Sequence, residues 1–454
     1  MQNRQPAAVI ALLAGLALLA LPNILTSFLL PLILNRLALS IQVVVTLNTA
    51  HTLGLVLGAL PMAALSARIG ARRCFLVAAC GVALSSVAML APMEFIPLLL
   101  LRLLQGIASA ALLAASLALL RQVFGDGRFG WGLGLAGLAA GWSLFMLPMT
   151  AGWLGGVVGT PGLAVPGIVL LLAALLLGWR SLPRPDMAPQ PFDILGTVLS
   201  LATFCLLLAS LYLLPFRPAL LVHPPILQSA ILLLLGLLAL ALWIWQQSGR
   251  AAPMLPLDLL STFRLGWPMA AACFGTLALM AAEIALATQM MSSWRMPPER
   301  IGLLLSVPAA MAALASLAGG WYVRRLPRRL PALAGALLMA GGLAVLAWLE
   351  PGPAFQPPLT LGLVLYGAGR GLFELGNTLL LVGGVPASRS SAAAGLLVWA
   401  RGLGTLLISV CLMLAAAAGL EASAGVETIW LAFGAAVAVL AALLSLPGRT
   451  GAAR

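Results

Sequence analysis

The chain has 454 residues, 62% of them apolar and only 8% charged, which excludes a soluble globular fold because water cannot be the main solvent of such a surface. The formal net charge is +13, yet no segment is polar enough to form a soluble basic face, which excludes nucleic acid as a partner. Every basic residue is Arg, so no phosphate loop of the Gly-x-x-x-x-Gly-Lys type exists and the energy source is expected to be a gradient rather than ATP.

Apolar runs long enough for a bilayer core recur from Ala7 to Leu446. They lack the dyad alternation of a barrel, so the expected fold is all-α and integral to a membrane. In chain order, spans are expected at residues 7–34, 43–65, 74–91, 95–120, 131–157 and 165–177. The first is read as a retained helix and not a signal peptide, since Pro22, Asn23 and Pro31 stand where a small-residue cleavage site is expected. A Pro-rich stretch from Arg180 to Pro191 breaks the pattern, and spans follow at 194–214 and 226–245. After a second Pro-rich stretch, Arg250 to Arg264, come spans at 266–291, 301–323, 330–348, 359–382, 392–418 and 428–446. Residues 1–179 are thus expected as a six-helix bundle, 180–264 as a two-helix insertion with its loops, and 265–454 as a second six-helix bundle, with fourteen transmembrane helices in all.

With a cytoplasmic N-terminus, Arg68, Arg72, Arg73, Arg121, Arg128, Arg180, Arg184, Arg250, Arg264, Arg324, Arg325, Arg328, Arg329 and Arg389 fall in inward loops. Only Arg36, Arg217, Arg295 and Arg300 fall outside, the bias of a multi-pass protein, and the even count returns the C-terminus to the cytoplasm. Cysteines 74, 80, 205, 273 and 411 have neither metal-ligand nor disulfide spacing and read as small core residues. Gly132, Gly134 and Gly137 fit the dinucleotide fingerprint letter for letter, but inside an apolar span with no strand before them they are expected to serve close helix packing. No nucleophile and base, metal cluster or HExxH spacing occurs, so neither an enzyme nor a cofactor nor a metal site is expected.

The two blocks of six look like copies. Arg68-Ile-Gly-Ala-Arg72-Arg73 after the second helix of one matches Arg325-Leu-Pro-Arg328-Arg329 after the second helix of the other. Gln105-Gly106 on the fourth helix aligns with Tyr366-Gly367, again roughly 260 residues on, so one offset explains two motifs.

These residues resemble the major facilitator superfamily, and within it the fourteen-span drug:proton antiporters. The loop from Ala63 to Arg73 is similar to the superfamily's Gly-x-Leu-x-Asp-Arg-x-Gly-Arg-Arg between helices two and three, and Leu101-Arg102-Leu-Leu-Gln105-Gly106 to its fourth-helix motif. Phe192-Asp193-Ile-Leu-Gly196 and the run from Pro256 to Arg264 resemble the flanks of the group's two extra helices, and Trp399-Ala-Arg401-Gly-Leu-Gly404 its thirteenth-helix signature. The resemblance implies a secondary transporter of a bacterial inner membrane, monomeric, with small amphipathic substrates, protons and the lipid bilayer as partners. It implies that Arg68, Gly70, Arg72 and Arg73 form the conformational loop motif and that Arg102 and Gln105 take part in coupling. Three positions depart from it: the loop acid is Ala67, the first-helix acid is replaced by Pro22 or Asn23, and the fifth-helix motif is reduced to Pro148-Met-Thr-Ala-Gly152.

Charge inside a bilayer costs about 2.5 kcal/mol or more per residue, so each instance asks for a reason. The candidates are Arg102, Glu283, Arg370, Glu374 and Arg401, with His51 as a titratable neighbour, and counting along the helices suggests that they line one cavity. Arg370 and Glu374 stand four apart and share a helix face, either as a packing ion pair or as part of transport. Glu283 has no opposite charge on its own helix, which suits a group that takes up and releases protons. His51 is either a second proton relay or a hydrogen-bonded packing residue, and Asp193 at a helix start reads as a cap. Glu283, Glu374 and His51 are the expected proton-coupling residues, and Arg102, Gln105, Arg370 and Arg401 the expected cavity. Three Arg against two Glu favour neutral or anionic substrates. Proton-coupled export by alternating access is the leading function; a non-transporting membrane sensor or scaffold is the alternative, favoured by the missing acids.

Overall fold

A computed structural model describes residues 5–26, 28–29, 42–91, 93–183, 193–213, 225–248, 250, 256–262, 265–349, 357–417 and 426–446. Among them there is no strand, and the helices are α1 (Gln5–Leu18), α2 (Gln42–Ile69), α3 (Ala71–Ala88), α4 (Phe95–Val158), α5 (Val165–Ser181), α6 (Ile194–Leu213) and α7 (Pro225–Ser248). There follow α8 (Leu257–Thr262), α9 (Gly266–Thr288), α10 (Pro298–Tyr322), α11 (Leu330–Ala347), α12 (Pro357–Leu381), α13 (Ser390–Ala417) and α14 (Val426–Ser445). Eleven of the described helices are long and apolar enough to cross a bilayer. Pro31, Arg36, Arg184, Phe192, Arg217, Phe263, Arg264 and both chain ends lie outside the described residues.

One expectation is corrected. Residues 121–130, read as a loop between spans, are helical, and α4 runs for 64 residues. At 1.5 Å per residue that is about 96 Å, three times a bilayer core, so α4 must turn back on itself. It does so at Gly125, whose φ of 66° and ψ of 169° lie in a region that essentially only glycine adopts. One residue therefore does what a loop was expected to do, and α4 has two arms, 95–124 and 126–158.

The same packing pattern occurs twice. In the first half α1 packs on α5, and the first arm of α4 packs on α2 and α3; in the second half α9 packs on α14, and α12 on α10 and α11. The halves meet along two seams, α2 against α13 and the second arm of α4 against α10. Helices in lipid gain little from burying apolar surface against each other, so the seams depend on close approach of small residues. Gly402 faces Val56 and Leu55 in the first seam; Gly134 and Gly137 face Ser316 in the second, the packing role expected of that glycine run.

The pair α6 and α7 packs chiefly on itself. Asp193 caps α6 by accepting from the amide of Gly196 at 2.8 Å, and it also holds the end of α7 through Gln247 Nε2 at 2.6 Å and Arg250 at 2.9 Å. Phe204 of α6 stands edge-on to Trp399 of α13 with ring centroids 5.7 Å apart, a favourable geometry for an aromatic pair. Cys74 is buried, but Cys205 is exposed on α6, so the core reading fails for that cysteine.

Arginines gather at one end of the molecule. Arg72 lies over the Trp179 ring at 5.3 Å and donates to the Trp179 carbonyl; Arg328 donates to Gly383 at 3.2 Å; Arg389 pairs with Asp258. Arg121 crosses between the halves there, with Nη1 2.5 Å from the Val382 carbonyl.

Candidate functional site

Four of the expected residues converge in the second half. Glycines bring α12 against its neighbours on two sides: Gly367 and Gly371 face the backbone of α10 at Pro308 and Ala312, and Gly369 faces α11 at Met339. Arg370 and Glu374 extend from the remaining face. Arg370 Nη1 pairs with Glu283 of α9, and its Nε lies 3.4 Å from Glu374 Oε1. Arg401 of α13 donates to the Glu374 carbonyl at 3.2 Å and to Thr378 Oγ1 at 3.0 Å. Beneath them Tyr366, fully buried, donates to the Leu279 carbonyl at 3.3 Å. Two carboxylates and two guanidiniums sum to zero, which is how four charges are tolerated in an apolar span. The carboxylates are the accessible part: side-chain exposure is 43% at Glu283 and 40% at Glu374, against 19% at Arg370.

Arg102 and Gln105 are elsewhere. Both are fully buried in the first half, and among the described residues neither is hydrogen-bonded or ion-paired to that cluster. Among the described residues Arg102 has four acceptors and none is a carboxylate: Gln105 Oε1 at 2.7 Å, Asn48 Oδ1 at 2.8 Å, and the carbonyls of Pro22 at 3.3 Å and Leu47 at 3.4 Å. Gln105 Nε2 continues to Ser86 Oγ at 2.9 Å, so the network ties the segment that follows α1 to α2, α3 and α4. Where the resemblance puts an acid in the first helix, a proline carbonyl serves the arginine. His51 is half-buried on α2, its carbonyl touches Gly106, and its Nδ1 has no hydrogen-bond partner among the described residues.

The loop motif is at the arginine-rich end. Gly70 turns the chain at φ 90°, Arg72 is held by Trp179 within the first half, and Arg68 and Arg73 are exposed. One contact that joins the halves at this end comes from Arg121, which is 5% exposed and also pairs with Asp126 at 2.8 Å. That contact was invisible to motif reading, as was Glu427, a buried carboxyl at the start of α14 that accepts from Ser293 Oγ at 3.0 Å. With Arg102 absent from the cluster, the arginine excess behind an anionic substrate disappears.

Comparison with known proteins agrees with this architecture. The Major Facilitator Superfamily profile matches residues 12–284. The chain is 26% identical over 400 residues to the uncharacterized transporter YebQ of Escherichia coli, covering 87% of this chain and 86% of that one. It is 26% identical to the tetracenomycin C resistance and export protein of Streptomyces glaucescens, covering 86% and 71%, and 25% identical to the multidrug efflux pump LfrA of Mycolicibacterium smegmatis, covering 89% and 80%. Among solved structures, the human organic anion transporter MFSD10 superposes with a TM-score of 0.66 at 17% identity, covering 97% of this chain and 99% of that one. The proton:xylose symporter XylE gives 0.64 at 13%, covering 97% and 94%. This chain belongs to the major facilitator superfamily: it is a multi-pass membrane transporter and not an enzyme.

Proposed function

We propose that this protein is a proton-coupled exporter of small amphipathic molecules in a bacterial plasma membrane. It works by alternating access of two bundles, 1–179 and 265–454, around the Glu283–Arg370–Glu374 cluster, with 180–264 as an insertion. The observation that carries this reading is that two half-exposed carboxylates on different helices share one guanidinium. A proton on either leaves Arg370 with one ionic partner instead of two, so protonation and the relative position of α9 and α12 are linked. Arg401 extends that linkage to α13, which packs on α2 of the other half. Export as the direction is supported by relatives whose names describe drug efflux and export. Fourteen crossings are supported by counting α4 twice at its elbow and adding α6 and α12 to the eleven described helices that are long and apolar enough to cross a bilayer. The grouping of inward-assigned arginines at one end supports cytoplasmic termini. Because carboxylate oxygens are what the cluster presents, uncharged and cationic amphiphiles are the first substrates to test.

In proteoliposomes under an imposed pH gradient, Glu283→Gln and Glu374→Gln should each bind substrate but lose most gradient-driven transport. A double variant that transports as well as the parent would remove the proton role and leave His51 or another ion. A sensor or scaffold is the second reading, favoured by Ala67 and by the carboxylate-free surroundings of Arg102. It is supported instead if the parent chain moves no member of a panel spanning charge classes.

A further inference from the structure

Beside the Gly125 elbow, at the arginine-rich end, a cavity of about 310 Å³ opens between the start of α1 and α4. Its lining divides by chemistry: Val9, Val123, Phe124 and Trp131 are apolar, and Gln5 and Arg128 are polar. Arg128 is exposed, and among the described residues it makes no hydrogen bond or ion pair. Its near neighbour in sequence, Asp126, is committed to Arg121 at 2.8 Å. The mechanism proposed above uses none of these residues.

Position and chemistry together select the ligand. The cavity is at the end of membrane-crossing helices, the depth of lipid headgroups, where tryptophan and arginine anchor proteins to the interface. A free anion would need the guanidinium but not the apolar wall, and an apolar molecule would leave the guanidinium without a partner. A group with a phosphate above an acylated glycerol uses both, and basic pockets between transmembrane helices are known to take such headgroups. We propose that this cavity binds the headgroup of an anionic phospholipid, with the phosphate on Arg128 and Gln5 and the glycerol end against Val9, Phe124 and Trp131. The site adjoins the contact between halves: Trp131 stands edge-on to Trp321 of α10 at 5.6 Å, and Gly130 faces Val323. An occupant therefore braces the corner at which the two halves touch.

The test uses the full chain in nanodiscs of phosphatidylcholine with or without phosphatidylglycerol, read by thermal unfolding and by native mass spectrometry of retained lipid. Phosphatidylglycerol should raise the unfolding midpoint of the parent by about 3 °C and leave one retained molecule. Arg128→Gln should unfold like the parent in phosphatidylcholine alone and lose both effects, and Arg128→Lys should keep part of them. Arg180→Gln, an exposed arginine at the same end but away from the cavity, should keep both. The proposal is overturned if Arg128→Gln responds like the parent, or if Arg180→Gln loses as much, which would mean a diffuse surface potential. It is also overturned if inorganic phosphate in phosphatidylcholine discs reproduces the shift, since the site would then be for a soluble anion.

Discussion

At the scale of residues, the two guanidiniums named by family motifs and by charge scarcity do different work. Arg370 is held by carboxylates that can change charge, whereas Arg102 is held by amide and carbonyl oxygens that cannot. Arg102 is therefore predicted to be structural in this chain. Arg102→Ala takes the guanidinium donor from the buried Gln105 Oε1 and from Asn48 Oδ1, while the Pro22 carbonyl keeps Thr26 Oγ1 at 2.7 Å, so detergent-solubilised protein should lose about 1–3 kcal/mol of stability and part of its folded yield. Arg102→Lys should recover little, because a compact ammonium cannot reach acceptors on three helices with a planar fork. A lysine variant as stable as the parent would show that charge alone is sufficient there. The sequence made part of this legible. The spacing of Arg370 and Glu374 announces a shared face, but Glu283 is 87 positions from Arg370 and nothing local predicts that they meet. Pro22 as an acceptor was equally hidden, because a backbone carbonyl has no residue letter.

At the scale of elements, most helices follow from the lengths of the apolar runs, since a bilayer leaves the backbone few other choices. The elbow of α4 did not follow. The polar stretch Arg121 to Arg128 has the composition of a loop, yet a single residue with positive φ suffices to reverse the helix. Gly125→Ala is a direct test: its Cβ would meet nothing within 4 Å, so any effect is conformational and not steric. It should cost about 1–3 kcal/mol and weaken the Arg121–Asp126 pair across the bend. Thermal melting equal to the parent would mean that the turn does not depend on glycine. For the inserted pair, Asp193→Asn keeps an acceptor for the Gly196 amide but loses the ionic partner of Arg250. It should cost about 1 kcal/mol, measured by melting, with transport per folded molecule unchanged. Abolished transport at normal membrane levels would give the insertion a role beyond packing.

At the scale of the whole molecule, the question is what holds the two halves together at the arginine-rich end when the loop acid of the family is Ala67. Arg72 binds Trp179 of its own half, so that contact is not the tie. Arg121 is: one nitrogen reaches the Val382 carbonyl at the end of α12, where helix carbonyls are unpaired and the dipole is negative, and another is held by Asp126. The two contacts should not contribute equally. A buried hydrogen bond from a charged donor contributes about 1.5–3 kcal/mol, whereas Asp126 is 66% exposed and its ion pair is worth about 0–1 kcal/mol after screening. Arg121→Gln should therefore shift the closed-to-open ratio at this end by about tenfold or more, and Asp126→Asn by much less. Spin labels at the exposed positions Gln122 and Arg324, on opposite halves, would report it as a new longer-distance population in the first variant and a nearly parental distribution in the second. If both variants opened equally, the exposed carboxylate and not the buried guanidinium would be the latch; if neither opened, the seams of small residues along α2 and α13, and along α4 and α10, would be holding the halves closed without it.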